Sequence, residues 1–138
     1  MSAMAMPSIP ARTAIVLIAY VSTLAVLVAC AFLWVFIYST FIDSSGDAAY
    51  YEAYAQRASP VVAVVLSAPV FYLMGNFMRR FGSAAMGLAL TVVAINLVID
   101  VAVLMTFATD LSHHVAMSAL AALAKLTGAW FGVRTGAT

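Results

Sequence analysis

The chain has 138 residues, of which 66% are hydrophobic and 8% charged, with a formal net charge of +1. A soluble globular domain carries about 25% charged residues, so this chain has too few charges to cover a water-exposed surface. The composition therefore predicts an integral membrane protein whose first partner is the lipid bilayer. The small net charge excludes the basic patch that nucleic acid requires. The single cysteine excludes an intrachain disulfide and a cysteine-cage metal site, and no cofactor is expected.

Long apolar runs separated by short polar breaks predict an all-α fold with a single transmembrane domain over residues 1–138. The residues before the first run, 1–11, are expected to form a flexible leader. The predicted membrane-spanning helices are four in number and cover about residues 13–42, 60–78, 84–108 and 113–133.

The first apolar run has a competing interpretation as a bacterial lipoprotein signal. Residues 27–30 read LVAC, which has the form of a lipoprotein cleavage box, and one basic residue, Arg12, precedes the run. The sequence stays apolar from Ala31 to Tyr38, however, whereas the apolar core of a secretory signal spans about 7–15 residues. We therefore favour an uncleaved helix in which Cys30 is a packing residue.

The only long polar segment, residues 43–59, is expected to form an outer loop with a short interfacial helix. Asp47 or Ser45 could cap that helix, and Ser59 and Pro60 would then begin the second span as N-cap and first helical residue. Tyrosine prefers the membrane–water interface, and this segment holds Tyr50, Tyr51 and Tyr54. Two alternatives are a lid over a pocket and a cation-attracting rim made of the acidic side chains Asp43, Asp47 and Glu52.

The basic residues predict the orientation of the chain. In a four-span arrangement, Arg57 alone falls on the side of the polar segment. The other four arginines fall on the opposite side, namely Arg12, Arg79, Arg80 and Arg134. Loops rich in lysine and arginine stay in the cytoplasm. Both termini are therefore expected in the cytoplasm, in a bacterial inner membrane.

Polar side chains inside the third and fourth spans are the candidate functional residues. Asn96 and Asp100 lie one helical turn apart near the middle of the third span. In the fourth span, His114, Ser118 and Lys125 fall within about 40° of one another around the helix. Charged groups at membrane depth are costly and face the interior of a bundle or a water-filled cavity. The two polar stripes are therefore expected to face each other.

An ion pair between Asp100 and Lys125 follows if the lysine stem spans the difference in depth. The alternatives are a Lys125 that extends to the cytoplasmic interface and an uncharged Asp100 hydrogen-bonded to Asn96 or a tyrosine. Asp100 could bind a proton or cation in a hydrated crevice, or it could be polar glue between helices. The sequence favours glue, because the spans contain only one acidic residue at depth.

The fourth span also has small residues four apart: Ala124, Gly128 and Gly132. The segment GAWFG is a GxxxG pattern, which lets two membrane helices approach closely. We expect a close helix contact at this face, either with another span of the same chain or in a homo-oligomer through the fourth helix.

No set of residues in the sequence is typical of an enzyme. A nucleophile–base pair, HExxH, a phosphate-binding glycine loop and a redox cysteine pair are all missing from the sequence. Asp110, His113 and His114 have a spacing that could hold a metal, but histidines at an interface are the favoured interpretation. Two functions remain: a non-catalytic accessory or oligomeric helix-bundle protein, or a small oligomeric transporter or channel with Asp100 as its proton or cation site.

Overall fold

A computed structural model describes residues 8–107 and 111–135. Within these residues the chain is helical except at 8, 43–47 and 135, with no strand. The helices are α1 (Ile9–Ile37), α2 (Ala48–Met78), α3 (Ala85–Phe107) and α4 (Leu111–Arg134). The all-helical prediction is confirmed for the described residues. Most of the predicted leader, residues 1–7, lies outside them.

Three helical stretches are long and apolar enough to cross a membrane: Ile9–Ile42, Ala48–Thr106 and His114–Arg134. They contain 34, 59 and 21 residues, respectively. A helix rises about 1.5 Å per residue, so about 20 residues cross the hydrocarbon core. Their length and composition are compatible with a membrane protein. The middle stretch combines α2 and α3, so the number of crossings stays a prediction.

The chain reverses direction between α2 and α3 at a glycine. A short 3₁₀ segment, Arg79–Ala84, joins the two helices, and Gly82 within it has φ 58° and ψ −124°. This left-handed conformation suits glycine because it lacks a Cβ atom. The consequence is that α3 runs back antiparallel to α2.

The expected separate interfacial helix and helix start at Pro60 are wrong, because α2 runs without interruption from Ala48 through Pro60. The expected cap at Asp47 is confirmed: its carboxylate accepts a hydrogen bond from the Tyr50 backbone N–H at 2.9 Å. A proline inside a helix removes one backbone hydrogen bond. On the N-terminal side of the proline, Tyr54 contacts Trp34 of α1 and Tyr38.

The first helix begins earlier than expected, at Ile9, inside the predicted leader. Pro10 stands in its first turn, where a missing N–H costs no helical hydrogen bond. At the other end α1 continues into a π-helical turn, Tyr38–Ile42, closed by a 3.0 Å bond from the Asp43 N–H to the Tyr38 carbonyl. The helical stretch thus ends at Ile42, as expected.

The apolar core lies near the end of the bundle that holds Gly82. It receives residues from the first part of α1, the second part of α2, the first part of α3 and the second part of α4. Its members include Val16, Ala19, Phe71, Met74, Met78, Leu88, Ala89, Val92, Val93 and Ala129. The second half of α3, from Val98 to Thr106, is mostly exposed. The helices are therefore packed tightly at one end and loosely at the other.

Glycines bring α2 and α4 together in the closest helix contact of the described chain. A methyl group on Gly132 would overlap the Tyr72 carbonyl, and one on Gly128 would overlap the Ala68 carbonyl. On the opposing helix, a methyl group on Gly75 would lie 2.5 Å from the Ala129 carbonyl oxygen. Residue numbers rise together in both helices, so α2 and α4 run parallel. The expected close contact at the GxxxG face is thus made within the chain.

Substituting Gly132 with alanine should separate α2 from α4. We expect Gly132→Ala to lower the unfolding free energy by about 1–3 kcal/mol, the usual cost of overpacking a tight contact. The measurement is thermal unfolding of the purified protein in detergent. Gly87→Ala is the matched control, because a methyl group there meets nothing within 4 Å and alanine favours a helix. Equal stability of the two variants would contradict the close contact.

Candidate functional site

The structure brings together three of the five predicted intramembrane polar residues. The Lys125 ammonium forms an ion pair with the Asp100 carboxylate and donates a hydrogen bond to Asn96 Oδ1 at 2.6 Å. Asn96 and Asp100 occupy successive turns of α3, while Lys125 extends from α4. We name these three residues the ammonium cluster. The cluster links α3 to α4 through the long side chain of Lys125.

Burial in the ammonium cluster is uneven. Lys125 is 3% exposed and Asn96 4%, whereas the Asp100 side chain keeps 37% of its surface exposed. The ring of Phe71 in α2 lies with its centroid 5.8 Å from Lys125 Nζ, within range of a cation–π interaction. A buried ammonium is tolerated only where it is paired and hydrogen-bonded. Lys125 satisfies this requirement with groups from its own chain.

The buried polar atoms of the described residues are all satisfied, with no buried side-chain nitrogen or oxygen left without a hydrogen-bond partner in that part of the chain. Other polar side chains in the helices bond to their own backbone. Ser67 Oγ, for example, donates to the Ala63 carbonyl at 2.5 Å, and Thr23 donates to the Ala19 carbonyl. These hydroxyl groups are thus satisfied by their own helix.

The other predicted polar residues of α4 lie outside the ammonium cluster. Ser118 and His114 are half-buried on α4, toward its N-terminal end. Along the helix axis they stand about 10 Å and about 16 Å from Lys125, too far for direct contact. In the proposed metal group, Asp110 and the side chain of His113 lie outside the described residues. No group of three metal-binding side chains forms among the described ones.

Sequence reasoning missed the contribution of α2 to this site. Phe71 is fully buried and its ring approaches the lysine, and Gly75 completes the close contact with α4. Ser67, Phe71, Gly75 and Met78 are buried at helical spacing along α2. The helical spacing of these residues predicts a packing face on α2. It does not predict which helix packs against that face.

A second cluster joins the C-terminal end of α1 to the N-terminal end of α2. We name it the tyrosine cluster, and its members are Trp34, Tyr38, Asp43, Tyr50, Tyr51 and Tyr54. The Trp34 indole N–H donates to the Tyr54 hydroxyl at 2.9 Å, and the rings of Tyr38 and Tyr54 stack with centroids 3.7 Å apart. The hydroxyls of Tyr38 and Tyr50 are 3.2 Å apart. These contacts hold α1 antiparallel to α2.

Asp43 is the main acceptor of the tyrosine cluster. Its Oδ2 accepts from the Tyr50 hydroxyl at 2.8 Å, its Oδ1 from Ser45 Oγ at 2.6 Å, and its backbone carbonyl from the Tyr51 hydroxyl at 2.6 Å. Hydrogen bonds from the Ser45 and Tyr50 side chains lower the pKa of the Asp43 carboxyl below its ordinary 3.8. Hydrogen bonding with Tyr38 and Asp43 raises the pKa of the Tyr50 hydroxyl. The Asp43 carboxylate is therefore hydrogen-bonded to side chains of its own segment.

Two open grooves lie between α1 and α2, each of about 360 Å³. The groove nearer the tyrosine cluster, which we name the outer groove, has apolar walls that include Cys30, Trp34 and Val65. The groove nearer Gly82, which we name the inner groove, is lined by Ile18, Ala19, Ser22, Thr23, Val26, Val70, Leu73, Met74 and Phe77. Neither is lined by a residue of the ammonium cluster.

Comparison with known proteins adds no assignment: no family model, no curated protein and no solved structure matches the chain. The chemistry of the described residues is therefore the basis for inferring function. The ammonium cluster can hold two helices together, and the partly exposed Asp100 side chain leaves room for contact with a further group. The tyrosine cluster can fasten α1 to α2.

The tyrosine cluster should weaken in acid. Because the pKa of Asp43 is lower in the folded state, its carboxylate stabilises the fold above the unfolded pKa of about 3.9, and this stabilisation is lost as pH falls through the folded pKa. We expect Asp43→Asn to lower the Tm in detergent at pH 7, and we expect this difference from the wild-type protein to shrink as the pH falls below the unfolded pKa. Glu52→Gln, which removes an acidic group from the same segment, is the control. A Tm difference that does not change with pH would contradict the role of Asp43.

Proposed function

We propose that the chain is a non-catalytic membrane protein of four crossing helices, which acts through helix contacts as an accessory subunit or scaffold. The observation that carries this proposal is the pairing of Lys125 within the chain. The ammonium, at 3% exposure, is bonded to Asp100 and Asn96, so its charge is balanced within the chain without a substrate. Polar residues that join helices are a common device in membrane bundles.

The proposal of four crossings rests on length and on direction. Ala48–Thr106 contains 59 residues, which would extend about 88 Å as one straight helix, whereas the hydrocarbon core is about 30 Å thick. The reversal at Gly82 divides this length into two crossings. With α2 parallel to α4, and α3 antiparallel to both, the four helices alternate in direction.

The orientation of the bundle follows from its arginines. Arg79 and Arg80 stand at the Gly82 reversal, at the same end as Arg12 and Arg134. Arg57 lies at the opposite end, near the tyrosine cluster. Positive charge in the cytoplasmic loops therefore favours cytoplasmic termini and an outward tyrosine cluster, in a bacterial inner membrane.

Accessibility of single cysteines tests this topology. In a Cys30→Ser background, Ser44→Cys should react with a membrane-impermeant maleimide in intact cells, and Ser83→Cys should react only after the cells are permeabilised. Both serines are exposed in the structure, so access depends on the side of the membrane. Labelling of Ser83→Cys in intact cells would contradict the proposed orientation.

An oligomer through the GxxxG face would have to displace α2, which already covers Gly128 and Gly132. The exposed side of α4 offers large apolar side chains instead, namely Leu120, Leu123 and Phe131. A homo-oligomer through the fourth helix would therefore use this side. In this proposal, the protein acts through contacts between the exposed apolar side of α4 and other membrane helices.

Transport is the second candidate, and the exposed part of Asp100 favours it. With 37% of its side chain uncovered, the carboxylate could meet water or a cation. A bundle this narrow encloses little space, so transport would require an oligomer. Asp100 would then be the proton or cation site.

Replacing the charged pair distinguishes the two functions. Asp100→Asn leaves Lys125 buried without its counter-charge, and we expect a loss of about 3 kcal/mol in stability. The double variant Asp100→Asn/Lys125→Met should recover most of this loss, since removing both charges of a buried pair is often nearly neutral. The measurements are thermal unfolding and proton, Na⁺ and K⁺ flux in proteoliposomes. Leu126→Met is the control.

A scaffold predicts no flux above protein-free vesicles for any of these proteins, together with recovered stability in the double variant. Flux in the wild-type protein that disappears in Asp100→Asn would contradict the scaffold and support transport. Stability unaffected by Asp100→Asn would contradict the role of the ion pair.

A further inference from the structure

We propose that the inner groove between α1 and α2 binds one acyl chain of an anionic phospholipid of the cytoplasmic leaflet, with Arg80 at the lipid phosphate. This inference rests on the topology proposed above, which places the groove in the cytoplasmic leaflet. The ligand is a lipid of the bilayer itself, distinguished from bulk lipid by its charge and by its position.

The walls of the inner groove match a hydrocarbon chain. Its nine lining residues are apolar except for Ser22 and Thr23, and the Thr23 hydroxyl is already bonded to the Ala19 carbonyl. Residues 18 to 26 of α1 cover about 12 Å along the helix axis, and one leaflet of hydrocarbon is about 15 Å deep. The groove thus has the length of one leaflet.

A cation stands at the cytoplasmic end of the groove. Phe77 lines this end, and the exposed guanidinium of Arg80 lies over the Phe77 ring, 5.5 Å from its centroid. Leu73 and Phe77 lie one turn apart on α2, and Arg80 follows in the 3₁₀ segment that continues from the end of α2. Basic groups between helices on the cytoplasmic side bind anionic lipid head groups. An acyl chain in the groove would bring its phosphate to Arg80.

The other side of α2 is occupied by protein. Gly75, about 200° around the helix from Leu73, contacts Ala129 of α4. Arg134 also stands at the cytoplasmic end, but on α4, where its guanidinium lies 4.3 Å from the centroid of the Trp130 ring. Arg134 therefore carries the same charge as Arg80 at the same end of the bundle, away from the groove, and provides a matched control.

Native mass spectrometry of the full-length protein tests the proposal. The protein is purified in detergent and offered equal amounts of palmitoyl-oleoyl phosphatidylglycerol and phosphatidylcholine. The wild-type protein should retain one phosphatidylglycerol in preference to phosphatidylcholine. Arg80→Gln should reduce this preference about fivefold, as expected for one surface arginine near an anionic head group. Arg134→Gln should keep the wild-type preference.

A second variant tests the groove independently of charge. Ser22→Leu places an apolar side chain in the groove and should reduce the retention of both lipids. Equal retention of the two lipids by the wild-type protein would overturn the proposal, as would equal effects of Arg80→Gln and Arg134→Gln. A dimer that retains no lipid would assign the groove to a second copy and overturn it too.

Failure of the topology is recognised separately, because the maleimide experiment does not depend on lipid. Labelling of Ser83→Cys in intact cells would overturn the cytoplasmic assignment. An anionic preference that depends on Arg80 would, in that case, still support the groove as a lipid site.

Discussion

The buried ammonium of Lys125 is the constraint that the arrangement of the helices has to satisfy. A positive charge removed from water must be paired and hydrogen-bonded, or the helix that carries it cannot remain in the interior. Asp100 and Asn96, on successive turns of α3, meet that requirement together with the ring of Phe71. A single side chain of α4 is thereby in contact with two other helices. This specifies which helices are neighbours in a way that interchangeable apolar contacts cannot.

The contact between α2 and α4 makes this arrangement possible. Helices separated by large side chains stand 8–10 Å apart, whereas Gly128, Gly132 and Gly75 allow backbone to approach backbone. The close approach brings Phe71 next to the lysine. The glycines and the lysine of α4 thus act together, because the glycines set the distance between α2 and α4 at which Lys125 lies near Phe71.

Much of the fold could be predicted from composition and polar breaks, because apolar length alone indicates a membrane helix. The facing polar side chains of α3 and α4 were also predictable, since their cost at depth allows few alternatives. The continuity of α2 through Pro60 was not, because the sequence does not show the contacts that Tyr54 makes with Trp34 and Tyr38, 16 to 20 positions away. The helix that packs against Gly128 and Gly132 could not be predicted either. A GxxxG pattern indicates a close helix contact but does not specify the partner helix.

The position of the core near Gly82 has a consequence for motion. Opening of a protein begins where apolar contacts are fewest, and here that is the end farthest from Gly82, apart from the ring contacts between α1 and α2. The second half of α3, from Val98 to Thr106, is mostly exposed and contributes no residue to the core, and Asp100 is the residue within it that pairs with Lys125. Its backbone amides are therefore expected to exchange hydrogen before those around Phe71 and Val92. The two ends of the bundle would then differ in how readily they open.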